Sequence, residues 1–330
     1  MTIASIALPR PATRIPLPLM VAAFCFLWAS AFSVAKLAIA DCPPLLLLTF
    51  RFLLAGVLML GAAAINGVPL KLSRRDLLLF AALGIANQAA YLGLGYIGLK
   101  SISSGLSALV ISANPVLTAV LAATFLDERI TWRKVIGLLL GVGGVAYVVG
   151  SRLNGGVDHV TGIIFTLAAL VSLVGGTILF KRFSPTGGLW VGNGVQSVSA
   201  GLAVLPFAFS FENVSDIVPT WHLFFAFAYL VLFVSVFAYL IWFHLLMVSG
   251  ATAASSYHFI MPPLGMLFGW FLLGEHVALT DLIGIVPVAV GIYLVTRAAP
   301  ASGILDTRNP DTRIANASAR PDLGCCGHSN

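Results

Sequence analysis

Asn87, Gln88 and Tyr91 stand at i, i+1 and i+4 inside an otherwise apolar run, 77–99. On a helix they share one face, and Gly84 and Gly95 extend the stripe. Amide side chains donate and accept hydrogen bonds without adding a charge. That chemistry suits non-covalent holding of a polar or zwitterionic solute; a helix–helix hydrogen bond is the alternative use. The next run places Ser107, Asn114, Pro115 and Thr118 near one face. Pro115 removes a backbone donor and frees a carbonyl one turn earlier. Tyr239 and Trp242 share a face with Ser235, and His258 lies one turn before Pro262. Trp28 and Ser30 belong to the first run. Trp28, Tyr91, Tyr239 and Trp242 lie deep enough to wall an apolar or aromatic solute. The residues expected to contact a solute are therefore Trp28, Ser30, Asn87, Gln88, Tyr91, Ser107, Asn114, Tyr239, Trp242 and His258. Pro115 and Pro262 are expected to kink the helices that line the cavity.

Ionisable groups inside the runs are few. An imidazole titrates near neutral pH, so His258 is the candidate for proton coupling; a neutral, hydrogen-bonded histidine is the commoner arrangement. Arg51 and Lys36 are expected to snorkel to the outer interface. Glu128 and Glu275 fall at run ends and suit capping or loop fixing. Catalytic signatures do not appear: there is no His-Glu-x-x-His, no Gly-x-Ser-x-Gly and no pair of aspartates within a run. Cys25, Cys42, Cys325 and Cys326 have no metal-ligand spacing. No metal, cofactor or catalytic residue is expected, and the chain reads as a non-enzyme.

The elements that must carry these side chains are membrane helices. Hydrophobic residues make up 59% of the 330 and charged residues only 9%, against about 25% charged in a soluble domain. Ten apolar runs succeed one another between Leu17 and Thr296, and a span needs about 20 residues. The first run follows Arg10 and Arg14 and ends in Ala38-Ile39-Ala40, which imitates a cleavage site. It is too long for a signal sequence and reads as an uncleaved first helix. The net charge of +6 lies in short clusters without interleaved aromatics, so nucleic acid is not an expected partner. With the N-terminus inside, 14 Lys and Arg residues fall on the inner side and 4 on the outer. The positive-inside rule then puts both termini in the cytoplasm.

One stretch occurs twice. Residues 114–148 and 261–295 align without a gap at an offset of 147, matching Pro115 to Pro262, Glu128 to Glu275, Gly137 to Gly284 and Gly144 to Gly291. Each half holds five runs, an odd number, so the second copy enters the membrane with the opposite hand. The duplication thus predicts an inverted repeat, the common plan of secondary transporters. The expected fold is an all-α integral membrane protein of ten transmembrane helices in two inverted five-helix repeats. Its parts are a cytoplasmic segment 1–16, a first repeat 17–150, a connector 151–159, a second repeat 160–297 and a disordered cytoplasmic tail 298–330.

These residues carry a family likeness. The segments Phe26-Leu-Trp-Ala-Ser-Ala-Phe32, Phe50-Arg-Phe-Leu-Leu54, Ala113-Asn-Pro-Val-Leu-Thr118 leading to Asp127-Glu-Arg-Ile-Thr131, and Met261-Pro-Pro263 to Gly274-Glu-His276 resemble EamA-type members of the drug/metabolite transporter superfamily. The resemblance spans roughly 17–297 by the order and spacing of its motifs. It implies ten helices, a central cavity shared by two halves, and export or import of amino acids or related metabolites, export being favoured. The second copy departs from the pattern: Val198 falls where Arg51 maps, and Leu173 roughly where Trp28 does. The function expected is a secondary transporter working by alternating access, with a passive channel or an intramembrane enzyme as alternatives. Its expected partners are a small-molecule substrate and the lipid bilayer of a bacterial inner membrane. It is expected as a monomer, with a dimer as the alternative.

Overall fold

Inside a bilayer the backbone has no water to bond, and a helix satisfies its amides within one segment. The computed structural model describes residues 16–126, 131–154 and 159–297, and all regular structure in them is helical. Among the described residues nine helices are long and apolar enough to cross a membrane. They begin with Leu17–Asp41, Pro44–Ile65, Arg74–Leu99, Ser104–Phe125 and Val135–Leu153. Val160–Phe183, Leu189–Phe211, Trp221–Ser249 and Ala251–Leu273 follow. A tenth helix, Leu279–Arg297, carries a shorter apolar stretch, Leu279–Gly291. The expected ten full spans are thus nine spans and one shorter apolar helix. Asp127 to Ile130, with Glu128, lie outside the described residues, as does the tail from 298.

Local chemistry sets several helix ends. Ser73 Oγ accepts from the Asp76 amide at 3.0 Å, and Thr220 Oγ1 from the Leu223 amide at 3.0 Å, each satisfying an N-terminal N–H. Gly274 closes the ninth span at φ 64, a left-handed turn that a side chain would strain. Lipid-facing positions are large and apolar, as with Phe225 (66% exposed), Leu139 (67%) and Phe271 (74%).

Three pairs of helices that correspond at the 147-residue offset pack against each other and run antiparallel. In the second and seventh, Leu53, Gly56 and Leu60 meet Gly201, Val198 and Gly194 in reverse order. In the fourth and ninth, Ala108 meets Gly265, and the Ser255 hydroxyl donates to Thr118 Oγ1 at 3.3 Å. In the fifth and tenth, Gly137 faces Gly291 and Gly144 faces Gly284. A Cβ added at Gly144 would lie 2.6 Å from the Gly284 carbonyl oxygen, so close backbone approach requires glycine there.

Departures from α geometry also recur at that offset. The third span contains a π-helical segment, Ile85–Ala90, and the eighth another, Leu230–Ala238. The fourth span breaks at Ser112 and Ala113, just before Asn114 and Pro115. The ninth passes through a 3-10 turn, Tyr257–Ile260, just before Met261 and Pro262. The two prolines account for the breaks, because each lacks the N–H that the α ladder needs. The π segments leave carbonyls out of register with their usual donors, a feature frequent at functional sites.

Candidate solute site

The irregular segments surround an aromatic cluster. The Trp28 and Tyr91 rings stack with centroids 6.3 Å apart at 12°, and Tyr239 tilts against Trp28 at 5.1 Å. Together with Phe32, Arg51, Tyr96, Ser107 and Val234 they line a cavity of about 30 Å³. A water needs about 10–15 Å³ of such space. The cavity therefore admits about two or three waters and is closed to a solute of amino-acid size in this conformation. Four of the ten residues expected to contact a solute, Trp28, Tyr91, Ser107 and Tyr239, meet at this cavity.

Arg51 is the feature that the sequence reading misplaced. It was expected to snorkel outward, but its side chain is fully buried and lines the cavity. The packing of the seventh and eighth spans over the second covers it. Its Nε–H donates to Ser235 Oγ at 2.8 Å and its Nη1–H to the Tyr96 hydroxyl at 2.5 Å. Nη2 has no hydrogen-bond partner, and the guanidinium carbon lies 5.7 Å from the Phe52 ring centroid. Burying a cation without a counter-ion costs on the order of several kcal/mol. The same polar string continues behind it. Asn193 Nδ2 donates to the Ser235 carbonyl at 2.9 Å, and Gln88 Nε2 donates to Asn193 Oδ1 at 3.2 Å. A residue in the π segment of each of the third and eighth spans is thus tied to the seventh.

The other expected residues do not line the cavity. Asn87 is buried against Gly176 with its side-chain amide unbonded, while its backbone carbonyl accepts from the Tyr239 hydroxyl at 2.7 Å. Trp242 stacks on Phe24 at 5.4 Å, and His258 meets Trp242 edge-on at 4.8 Å. The Ser255 backbone lies beside His258, but neither ring nitrogen makes a hydrogen bond. Ser30 bonds the Leu27 carbonyl and the Tyr229 hydroxyl, and Asn114 Oδ1 accepts from Thr118 at 2.7 Å. Pro115 and Pro262 are buried at the breaks described above. Tyr96 and Phe32 were not singled out in the sequence. Tyr96 stands at i+5 from Tyr91, an offset that a plain helical face does not favour. No group of His, Cys, Asp and Glu among the described residues could hold a metal ion.

The profile of the EamA-like transporter family matches residues 16–150 and again residues 160–297. The chain belongs to that family. Among relatives of this EamA-like transporter, the uncharacterized transporter YvbV of Bacillus subtilis is 28% identical, covering 89% of this chain and 94% of its own. The S-adenosylmethionine/S-adenosylhomocysteine transporter of Chlamydia muridarum is 27% identical over 76% of this chain and 82% of its own. A crystal structure at 19% identity shares the fold with a TM-score of 0.65, over 84% of this chain and 96% of that one. The protein is a transporter of the membrane.

Two ion pairs brace the EamA-like transporter away from its cavity. Lys36 Nζ lies 3.1 Å from Glu275 Oε1 and donates to the Ile102 carbonyl at 2.6 Å. Glu275, beyond the ninth span, also accepts from the Ser104 amide at 2.9 Å and the Ser104 hydroxyl at 2.7 Å. It thereby caps the fourth span. Burial pushes the Glu275 carboxyl up, but the Ser104 donors and the Lys36 charge outweigh it and hold it below its ordinary value. Farther along, Arg152 Nε and Nη2 grip Asp281 Oδ1 and Oδ2 at 2.9 and 2.6 Å. That bidentate pair joins the fifth helix to the tenth. Lys36, expected to snorkel to the outer interface, is thus held by Glu275 and the Ile102 carbonyl.

Proposed function

We propose that this protein is a secondary transporter of amino acids or related small metabolites, working by alternating access between two inverted five-helix halves. The observation that carries this reading is the cavity itself. Its walls come from both halves, with Trp28, Tyr91 and Ser107 on one side and Val234 and Tyr239 on the other. Around it, π segments and proline breaks recur at corresponding places. Interrupted helices at corresponding places in two halves are where such transporters bind solute. The antiparallel packing of three corresponding helix pairs supports the inverted relation. The relative named for S-adenosylmethionine fits the solute class.

In this reading Trp28, Tyr91, Ser107 and Tyr239 touch the solute, while Asn87, Gln88 and Trp242 hold the wall behind them. His258 serves as the coupling group and Pro115 and Pro262 as the kinks about which the halves adjust. Both termini face the cytoplasm, as the 14-to-4 division of Lys and Arg favours. We assign export on the family resemblance, and a monomer as the working unit.

Counterflow in proteoliposomes tests the reading. Vesicles loaded with an unlabelled amino acid should draw in the labelled one and saturate, and Gln88→Ala should slow that exchange. Flux without stimulation by solute on the far side would indicate a channel. No flux of any amino acid or metabolite in the panel would end the transport assignment for this solute class.

A further inference from the structure

Arg51 is a charge waiting for a partner of opposite sign. The six carboxylates among the described residues are placed elsewhere. Asp41 accepts from Thr220, Asp76 from Thr186 and Glu212 from the Leu45 and Leu46 amides. Glu275 and Asp281 are held by Lys36 and Arg152, and Asp216 is exposed on the surface. The guanidinium meets only the neutral oxygens of Ser235 and Tyr96 and the Phe52 ring, leaving Nη2 unbonded in a fully buried position beside the cavity. Buried charges are ordinarily paired, because the desolvation of an isolated ion is unfavourable. The Tyr96 hydroxyl, which accepts from Nη1, keeps its own proton to donate.

We propose that Arg51 and Tyr96 form the carboxylate-binding end of the solute site, so that the transported solute carries a free carboxylate. This rests on the transport reading above and names the solute chemistry within it. One oxygen takes the Nη2 hydrogen of Arg51 and the other takes the Tyr96 hydroxyl hydrogen. A single positive charge and two donors match a carboxylate; a phosphate dianion would leave charge and acceptors unmet. The remainder of the solute then lies along Trp28, Tyr91 and Tyr239, whose faces accept an ammonium group by cation–π attraction or an apolar side chain by contact. The site is asymmetric because the position matching Arg51 in the second half is Val198.

The test uses the purified full chain with two readouts: stabilisation against heat in detergent, and counterflow in liposomes. The probes are the standard amino acids, their carboxamides, and glycerol 3-phosphate. Wild type should be stabilised by at least one amino acid and not by its carboxamide at ten times the concentration. Arg51→Gln should weaken that binding at least tenfold, Arg51→Lys should restore part of it, and Tyr96→Phe should weaken it less than Arg51→Gln. Where Arg51→Gln does not fold, the acid-against-amide comparison on wild type decides. Equal binding of acid and carboxamide, preference for the phosphate ester, or no stabilisation by any carboxylate overturns the assignment. Carboxylate-selective binding without flux supports the Arg51 site while refuting transport. Flux that ignores the carboxylate supports transport while refuting the Arg51 site.

Discussion

The Tyr239 hydroxyl donates to the Asn87 backbone carbonyl, 2.7 Å away, and so bridges the π segment of the third span to the end of the π segment in the eighth. The bond is buried at both ends. Tyr239 also supplies one wall of the cavity, so a single side chain couples the wall to the helix irregularity behind it.

Removing that hydroxyl separates the two roles. Tyr239→Phe keeps the ring and its contact with Trp28 but leaves the Asn87 carbonyl without this donor. A buried acceptor stripped of its partner costs about 1 kcal/mol in a membrane protein. We expect a loss of that size in an SDS-unfolding titration, with the aromatic wall retained. A stability equal to wild type would mean that the carbonyl finds another donor and that the bridge contributes nothing.

Glu275 gives the fold a pH signature. Its carboxyl is held below the ordinary value by Ser104 and Lys36 against the opposing effect of burial. A group depressed on folding contributes stability above its unfolded value and loses it as pH falls through the folded one. An unfolded carboxyl titrates near 4.5. The stability advantage of wild type over Glu275→Gln should therefore be full at pH 7 and shrink below pH 4.5. A gap that stays constant from pH 7 to pH 3 would show that the charge of Glu275 is not what secures the fourth span.

The repeat and the apolar runs could be read directly, because each is a pattern of residue type along the chain. The cavity was legible in part. Trp28, Tyr91, Ser107 and Tyr239 announced themselves as polar or aromatic groups within apolar runs, and they converge. Arg51 did not, because snorkelling and burial start from the same sequence. Only the packing of the seventh and eighth spans over it distinguishes them. The π segments left no residue signature either. Ile85–Ala90 and Leu230–Ala238 share almost no side chains, and the partner that bonds the Ser235 carbonyl, Asn193, lies on another span.

Within the fifth helix two neighbouring glycines should behave oppositely. At Gly144 a new Cβ would lie 2.6 Å from the Gly284 carbonyl and 2.7 Å from Val288 Cγ2, whereas at Gly143 it would meet nothing within 4 Å. Gly144→Val therefore forces the fifth and tenth helices apart and should cost about 1–3 kcal/mol. Gly143→Val, on the open side, should fall within about 0.5 kcal/mol of wild type. The two unfolding curves read side by side check the seam, and equal losses would place it elsewhere.

The Arg152–Asp281 pair joins the same two helices and separates charge from packing. The Asp281 side chain is fully buried and that of Arg152 is 10% exposed. Removing one partner strands the other, which costs about 3–5 kcal/mol in a buried pair, whereas replacing both by apolar residues of similar size is often neutral. Arg152 also donates to Ser103 Oγ at 3.1 Å, so Asp281→Asn should fall near the lower end of that range. Arg152→Met combined with Asp281→Leu should recover most of the loss, even though the double variant has discarded every charge of the pair. Thermal unfolding of the two single variants and the double one gives the ordering. If the double variant is worse than either single one, the pair contributes net stability. The junction of the fifth and tenth helices would then depend on the salt bridge as well as on the glycine seam beside it.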